Sequence, residues 1–232
     1  MTDAGYFFLA KQRSRIVHCF MIIFTDFDGT MAQNDVGDAF FRTFGDPREC
    51  EVVVSRWERN EISSRELYEI VARNTRVTRA QFEAFCATQE LARGFLEFAA
   101  YCRERAWPLI VLSDGLEAYI RTVMQRRELA LPVYSNHLEF IAPDRVQVNF
   151  PYWERSCGRC ANCKRQHVEH MTARGQRSVY IGDGLSDRCG AQAADIIFAK
   201  DSLAEWCKAE GRKFYAFEDF TEVLEVLQEI SL

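Results

Sequence analysis

An α/β fold, with a parallel sheet between helices and a helical insertion after the first strand, is what this sequence predicts. Three observations predict it. Short apolar runs bounded by turn residues recur along the chain, and helical patterns lie between several of them. Between Asp28 and Ser113, by contrast, roughly seventy residues carry helix signals and no clear strand.

The first run, Ile22–Phe27, reads as a buried strand and ends in "DFDGT", two carboxylates one residue apart. Like charges this close repel and each loses hydration on burial, so the pair persists only if something positive sits beside it. Further strands are expected at Pro108–Ser113, Pro132–Ser135, Val146–Phe150, Ser178–Gly182 and Asp195–Phe198, with helices at Leu116–Leu129 and Gln166–Ala173. In the insertion, "SSRE" from Ser63 and "TRAQ" from Thr78 have capping-box form: a hydroxyl for the third helical amide, and a Glu or Gln reaching back. Apolar residues then follow at helical spacing, as in Leu67, Ile70 and Val71, and in Phe82, Phe85 and Cys86.

At 232 residues the chain is long enough to bury a full core, and 48% apolar with 27% charged residues is ordinary globular composition. The net charge of −5 offers no general attraction for nucleic acid or an acidic membrane, so any phosphate site must be local. No apolar stretch approaches the ~20 residues of a membrane helix. Residues 1–20 place an apolar patch before basic residues, the reverse of a secretory signal, and are expected to be a disordered extension, with Met21 as an alternative start. Nine cysteines, six of them scattered as small apolar residues, fit a reduced, cytoplasmic setting.

Three more segments end apolar runs with what the opening aspartates need: "VLSDG" with Ser113, "CKR" with Lys164, and "YIGDGLSD" with Asp183 and Asp187. Together they suit phosphoryl transfer. Asp26 is placed as a nucleophile that attacks phosphorus and forms an acyl phosphate. Asp28 is placed to protonate the leaving alcohol and then activate water. Mg²⁺ takes hard oxygens, from Asp26, Asp183 and a backbone carbonyl, with Asp28 and Asp187 as further candidates. Ser113 and Lys164 would hold phosphate oxygens with the Asp114–Gly115 turn, while Gly29 and Gly184 let backbone amides approach closely.

In this order the motifs resemble the haloacid dehalogenase superfamily of aspartyl-phosphate hydrolases, from about Met21 to the C-terminus. The resemblance implies a Rossmann-like core over residues 21–31 and 107–232, a helical cap of the C1 type over residues 32–106, and Mg²⁺-dependent hydrolysis of a small phosphorylated metabolite. The acid at Asp28 resembles the phosphatase branch. "FPYWERSCGRCANCK", Phe150–Lys164, is similar to the cysteine-rich segment of the phosphoserine-phosphatase-like subgroup, especially its methylthiopentenyl-phosphate phosphatases. "QND" puts Asp35 where that subgroup has an acid near the cap hinge; a second hinge is expected near Trp107. "LSDG" departs from the "SGG" associated with the methylthiopentenyl-phosphate enzymes.

Cys157, Cys160 and Cys163 form a C-x₂-C-x₂-C run that His167 would complete as a tetrahedral zinc site, although a packed, reduced loop is the plainer reading. Arg42, Arg56, Arg59 and Arg65 are candidates for the distal end of a substrate, against the plainer reading of solvated helix faces. Two rival functions stay open at this level: a phosphotransferase that passes the phosphoryl group to an alcohol, and a non-catalytic protein that binds through a zinc loop.

Overall fold

The computed structural model describes residues 21–155 and 157–230. The extension over residues 1–20 therefore lies outside the described residues. The strands are β1 (Met21–Thr25), β2 (Leu109–Leu116), β3 (Val133–Ala142), β4 (Arg145–Asn149), β5 (Arg177–Gly182), β6 (Ile196–Ala199) and β7 (Tyr215–Ala216). The helices are α1 (Val36–Phe44), α2 (Pro47–Glu58), α3 (Ser64–Asn74), α4 (Arg79–Ala87), α5 (Phe95–Glu104), α6 (Glu117–Arg126), α7 (Lys164–Met171), α8 (Arg188–Ala193), α9 (Asp201–Ala209) and α10 (Phe220–Ile230).

The strands form one sheet in the order β4-β3-β2-β1-β5-β6-β7. Every neighbouring pair is parallel except β3 with β4. Alternate residues of β1 feed two apolar layers: Met21 and Ile23 pack on one face, Ile22 and Phe24 on the other. Burial on both faces explains why β1 reads as a continuous apolar run rather than an alternating one. Strand order reverses at β1, whose neighbours β2 and β5 lie on opposite sides, so a crevice opens at their carboxyl ends.

The α/β architecture with its parallel sheet is as expected, and the differences are local. The expected strands at Pro132–Ser135 and Val146–Phe150 are the beginning of β3 and most of β4, joined as an antiparallel hairpin across Pro143 and Asp144. Turn residues at that point close the hairpin, and β3 runs on to Ala142 with alternating exposure. The two-residue, exposed β7 has too little pattern to be read from sequence.

Both capping boxes form. Ser63 and Glu66 exchange side-chain and backbone bonds at the start of α3, as do Thr78 and Gln81 at α4. The chain enters and leaves the α1–α4 unit side by side, bridging at Ala32 and Leu91, with Gln33 N–H donating to Glu90 O at 2.9 Å. α5 falls within the expected insertion but packs on the sheet side instead, its Phe95 ring 4.9 Å from that of Phe220 on α10. A helical pattern says that a face will be buried, not which neighbour buries it. The α3–α4 link also rests on the hairpin, where Val77 N–H donates to Asp144 O at 3.0 Å. Among the described residues no helix is long and apolar enough to cross a membrane.

Candidate active site

Asp26 directly follows β1, and its N–H donates to Ile181 O of β5 at 2.9 Å, which fixes the carboxylate at the sheet's end. One of its oxygens, Oδ1, accepts the Phe27 N–H at 2.7 Å and lies 2.8 Å from Lys164 Nζ. The chain then turns through Phe27–Met31, where Gly29 adopts φ +70°. A side chain at Gly29 is doubly barred, by that conformation and because a Cβ would stand 2.6 Å from Asp183 Oδ2. Thr30 Oγ1 donates to Asp183 Oδ1 at 2.5 Å, so the β1 turn and the end of β5 are tied together.

Lys164 opens α7 and is fully buried, with Nζ 2.5 Å from Asp187 Oδ1. Asp187 is equally buried and saturated. Its Oδ1 also accepts from Tyr180 Oη at 2.6 Å, and its Oδ2 accepts from the Asp183 and Gly184 amides at 3.0 and 2.9 Å. Burial alone would lower the Lys164 pKa, but Asp187 and Asp26 outweigh it and hold the ammonium charged. Burial, then the Asp187 charge, pushes Asp26 above the usual carboxylate range. The same two causes bring Asp183 to about 7. One lysine thus faces three carboxylates, a deficit of positive charge that the sequence already implied.

Carboxylate oxygens of Asp26, Asp183 and Asp187 lie within 4.8 Å of one another, a hard-oxygen set that fits Mg²⁺ in donor type and charge. Because Asp187 spends both oxygens on Lys164, Tyr180 and two amides, Asp26 and Asp183 are the pair free to hold the ion. The Asp28 side chain is not in this cluster, which corrects its expected place among the ligands. Its Oδ1 accepts the Val36 and Gly37 amides at 3.0 and 3.1 Å, at the start of α1. Its Oδ2 accepts from Tyr119 Oη at 2.6 Å and from Ser113 Oγ at 3.4 Å. Helix-terminal amides are natural partners for a carboxylate and draw it away from the cluster.

Burial, then the Asp35 charge, raises the Asp28 pKa to about 7, the range of a group that both gives and takes protons near neutrality. Asp35 caps α1 by accepting the Asp38 N–H at 2.7 Å. Ser113, Asp114 and Gly115 form the crevice wall opposite. The Asp114 carboxylate, expected among the phosphate ligands, instead accepts the Asn162 N–H at 2.7 Å, where it anchors the loop before Lys164. Burial raises its pKa to about 6. A buried acid of this kind needs donors, and the loop amide is one.

The cysteine loop is also rearranged relative to expectation. Cys157, Cys160 and Cys163 do converge, but the fourth group beside them is Cys189 of α8, not His167. The His167 ring, nearly one turn into α7 and turned inward, meets Asn162 Oδ1 at 2.6 Å through Nε2 and packs on Tyr134 and Tyr152. A residue 22 positions beyond His167 gives no local sign of joining the loop, which is why the sequence pointed to the histidine. Tyr119, Thr30 and Asn162 were missed for the same reason, because the groups they bond lie 91, 153 and 49 positions away, whereas Tyr180 stands only seven positions from Asp187. Thr30, Tyr180 and Asn162 each lie inside a motif already singled out, which was the hint they carried; Tyr119 lies in none.

The crevice holds about 430 Å³ between the sheet's end and the α1–α3 helices. Phe41, Val54, Trp57, Leu67, Tyr68 and Val71 give it an apolar wall on the helical side. Arg42 lines it too, paired with Asp38 at 2.7 Å. The other expected arginines are committed elsewhere: Arg56 and Arg59 pair with Glu61, and Arg65 pairs with Glu69 and covers Phe150 and Trp153.

A family model described as haloacid dehalogenase-like hydrolase matches residues 23–192. The 2-hydroxy-3-keto-5-methylthiopentenyl-1-phosphate phosphatase of Brevibacillus brevis is 28% identical over 217 residues, spanning 90% of this chain and 96% of that one. The protein of the same name from Bacillus cereus strain AH187 is 29% identical over 207 residues, spanning 87% and 93%. Among solved structures, a phospho-aspartyl intermediate analogue of phosphoserine phosphatase aligns with TM-score 0.70 at 16% identity, over 89% of this chain and 98% of that one, a likeness of fold. The strand-end constellation and a family match spanning most of the sheet thus agree, and the chain belongs to the haloacid dehalogenase-like hydrolases.

Proposed function

We propose that this chain hydrolyses a small phosphomonoester, with Mg²⁺, through a phosphoaspartate on Asp26. The observation that carries the reading is the Asp26 carboxylate at the end of β1, 2.8 Å from a buried lysine and grouped with Asp183. Bound between Asp26 and Asp183, Mg²⁺ would neutralise charge on the carboxylates and the substrate phosphate.

In the first half-reaction an Asp26 oxygen attacks phosphorus, the bond to the ester oxygen breaks, and protonated Asp28 gives its proton to the leaving alcohol. In the second, Asp28 takes a proton from water as the water attacks phosphorus, which returns Asp26 as a carboxylate and releases inorganic phosphate. Lys164 stabilises negative charge that grows in both transition states. Ser113 and the amide of Gly115, which already donates to Ser113 Oγ at 2.9 Å, are the donors for phosphate oxygens.

The apolar wall of Phe41, Trp57, Leu67 and Val71 supports a substrate with an uncharged, partly apolar body beyond its phosphate. The names of the relatives make a methylthiopentenyl phosphate a leading member of the panel to test. A reducing, cytoplasmic setting belongs to the same reading, supported by the described cysteines, none of which is paired in a disulfide.

The test is phosphate release from phosphoserine, phosphoethanolamine, phosphocholine and the methylthiopentenyl enol phosphate, with Mg²⁺ and with chelator. Hydrolysis that requires Mg²⁺ and is lost in Asp26→Asn is expected. Metal-independent hydrolysis, or an active Asp26→Asn protein, overturns the reading.

A further inference from the structure

We propose that Cys157, Cys160, Cys163 and Cys189 hold one structural Zn²⁺ that staples the loop before Lys164 to helix α8. Their four sulfurs lie within 4.8 Å of one another. A tetrahedron of thiolates about 2.3 Å from a central zinc has edges of about 3.8 Å, so four sulfurs so grouped need only small adjustments to enclose one ion. The Cys157 and Cys189 sulfurs are already 4.0 Å apart.

Several features of the loop agree with an ion there. The Cys160 N–H points at Cys157 Sγ at 3.5 Å, an amide-to-sulfur contact that favours a thiolate. Gly158 has φ +82°, which lets the first C-x₂-C pair wrap back on itself. Cys160 and Cys163 are buried, and none of the four is in a disulfide. Three ligands on a short loop with a fourth brought from another element is the layout of a closed structural site, with no position left for a reactant. Four sulfurs select zinc over Mg²⁺ or Ca²⁺, which take oxygen.

The location gives the ion a task. Cys163 directly precedes Lys164, and Cys189 lies two residues after Asp187, so the two segments carrying the buried ion pair would share one metal. On its other side the loop is anchored by Asn162, whose side-chain amide donates to Ser113 O and Tyr134 O at 2.9 Å each. Among the described residues from Phe150 to Cys163 the short helical turn at Trp153–Arg155 is the one stretch of regular secondary structure. The consequence for turnover rests on the phosphatase reading, whereas the site itself does not.

Metal analysis of the full chain, purified without chelator under reducing conditions, tests the site independently of activity. About one Zn²⁺ per chain is expected, with the four thiols shielded from a thiol reagent until a strong chelator is added. Cys189→Ser should reduce bound zinc at least about tenfold, while His167→Ala should retain it, separating this ligand set from one completed by the histidine. Should Cys189→Ser fail to fold, the zinc content and thiol shielding of the unaltered chain decide the matter. Zinc-free protein that takes up none on addition, four thiols that react at once, two disulfides in place of thiols, or iron as the bound metal would each overturn the proposal. Zinc present in a chain without phosphatase activity would leave the site standing and remove the phosphatase reading alone.

Discussion

Lys164 and Asp187 form an ion pair closed to solvent, Nζ to Oδ1 at 2.5 Å, and the same ammonium reaches Asp26 at 2.8 Å. The lysine therefore bridges a proposed nucleophile and a carboxylate that has no spare acceptor. Removing it leaves two buried carboxylates facing each other. Lys164→Met is expected to lower stability by about 3–5 kcal/mol, the range for breaking one side of a buried pair, and to abolish turnover. Chemical denaturation in metal-free buffer at pH 7 measures the first effect; an unchanged midpoint would mean that Asp26 and Asp187 do not depend on the lysine.

Asp28 and Tyr119 separate a chemical role from a positioning one. Asp28→Asn keeps acceptors near α1 but loses the transferable proton, so turnover should fall by roughly 10²–10⁴-fold with the fold retained. Tyr119→Phe removes only the 2.6 Å bond to Oδ2. One hydrogen bond to an ionised group is worth about 1.5–3 kcal/mol, so kcat should fall by no more than about 10²-fold with KM little changed. Steady-state kinetics on the same substrate decides; a Tyr119→Phe defect as deep as that of Asp28→Asn would make the tyrosine the proton donor.

The sheet and the four motifs were legible because each is local: a buried strand reads as an apolar run, and its terminal polar residues follow directly. What was not legible arises from long-range pairing. Asp28 reaches Tyr119 across 91 positions, and Asn162 reaches Ser113 across 49. The sequence named both aspartates of "DFDGT" but could not say that one turns to Lys164 and the other to the α1 amides. Likewise the C-x₂-C-x₂-C run announced three thiols, and only the packing of α7 with α8 brings Cys189 to them. α5 was misassigned because its apolar face is equally suited to cap or core until Phe220 meets Phe95.

Gly115 shows the same dependence on packing. A Cβ there would stand 1.9 Å from Tyr119 Oη and 2.4 Å from Asp28 Oδ2, so even alanine must displace the pair. Overpacking of this kind costs typically about 1–3 kcal/mol. Gly115→Ala is expected to lower the thermal midpoint and to reduce turnover at least as far as Tyr119→Phe does. Wild-type kinetics in the alanine variant would mean that the Asp28–Tyr119 contact is not needed for the reaction.

His167 provides a pH test that lies away from the carboxylate cluster. Burial, then the neighbouring His170 charge, lowers its pKa from 6.5 to about 4. The folded chain therefore holds the ring neutral where the unfolded chain protonates it. Between those two values the unfolded state binds more protons, so stability falls as pH falls from about 6.5 toward about 4 and is undiminished above that window. At 1.36 kcal/mol per pKa unit, the full effect is at most about 3 kcal/mol. His167→Gln keeps a polar group beside Asn162 Oδ1 and cannot titrate, so its unfolding free energy should decline less than that of the unaltered chain over the same window. The carboxylates titrate in both proteins and cancel in the difference, which isolates the ring. Denaturant midpoints at a series of pH values measure that difference, and parallel curves for the two proteins would mean that the ring is protonated in the folded state as readily as in the unfolded one.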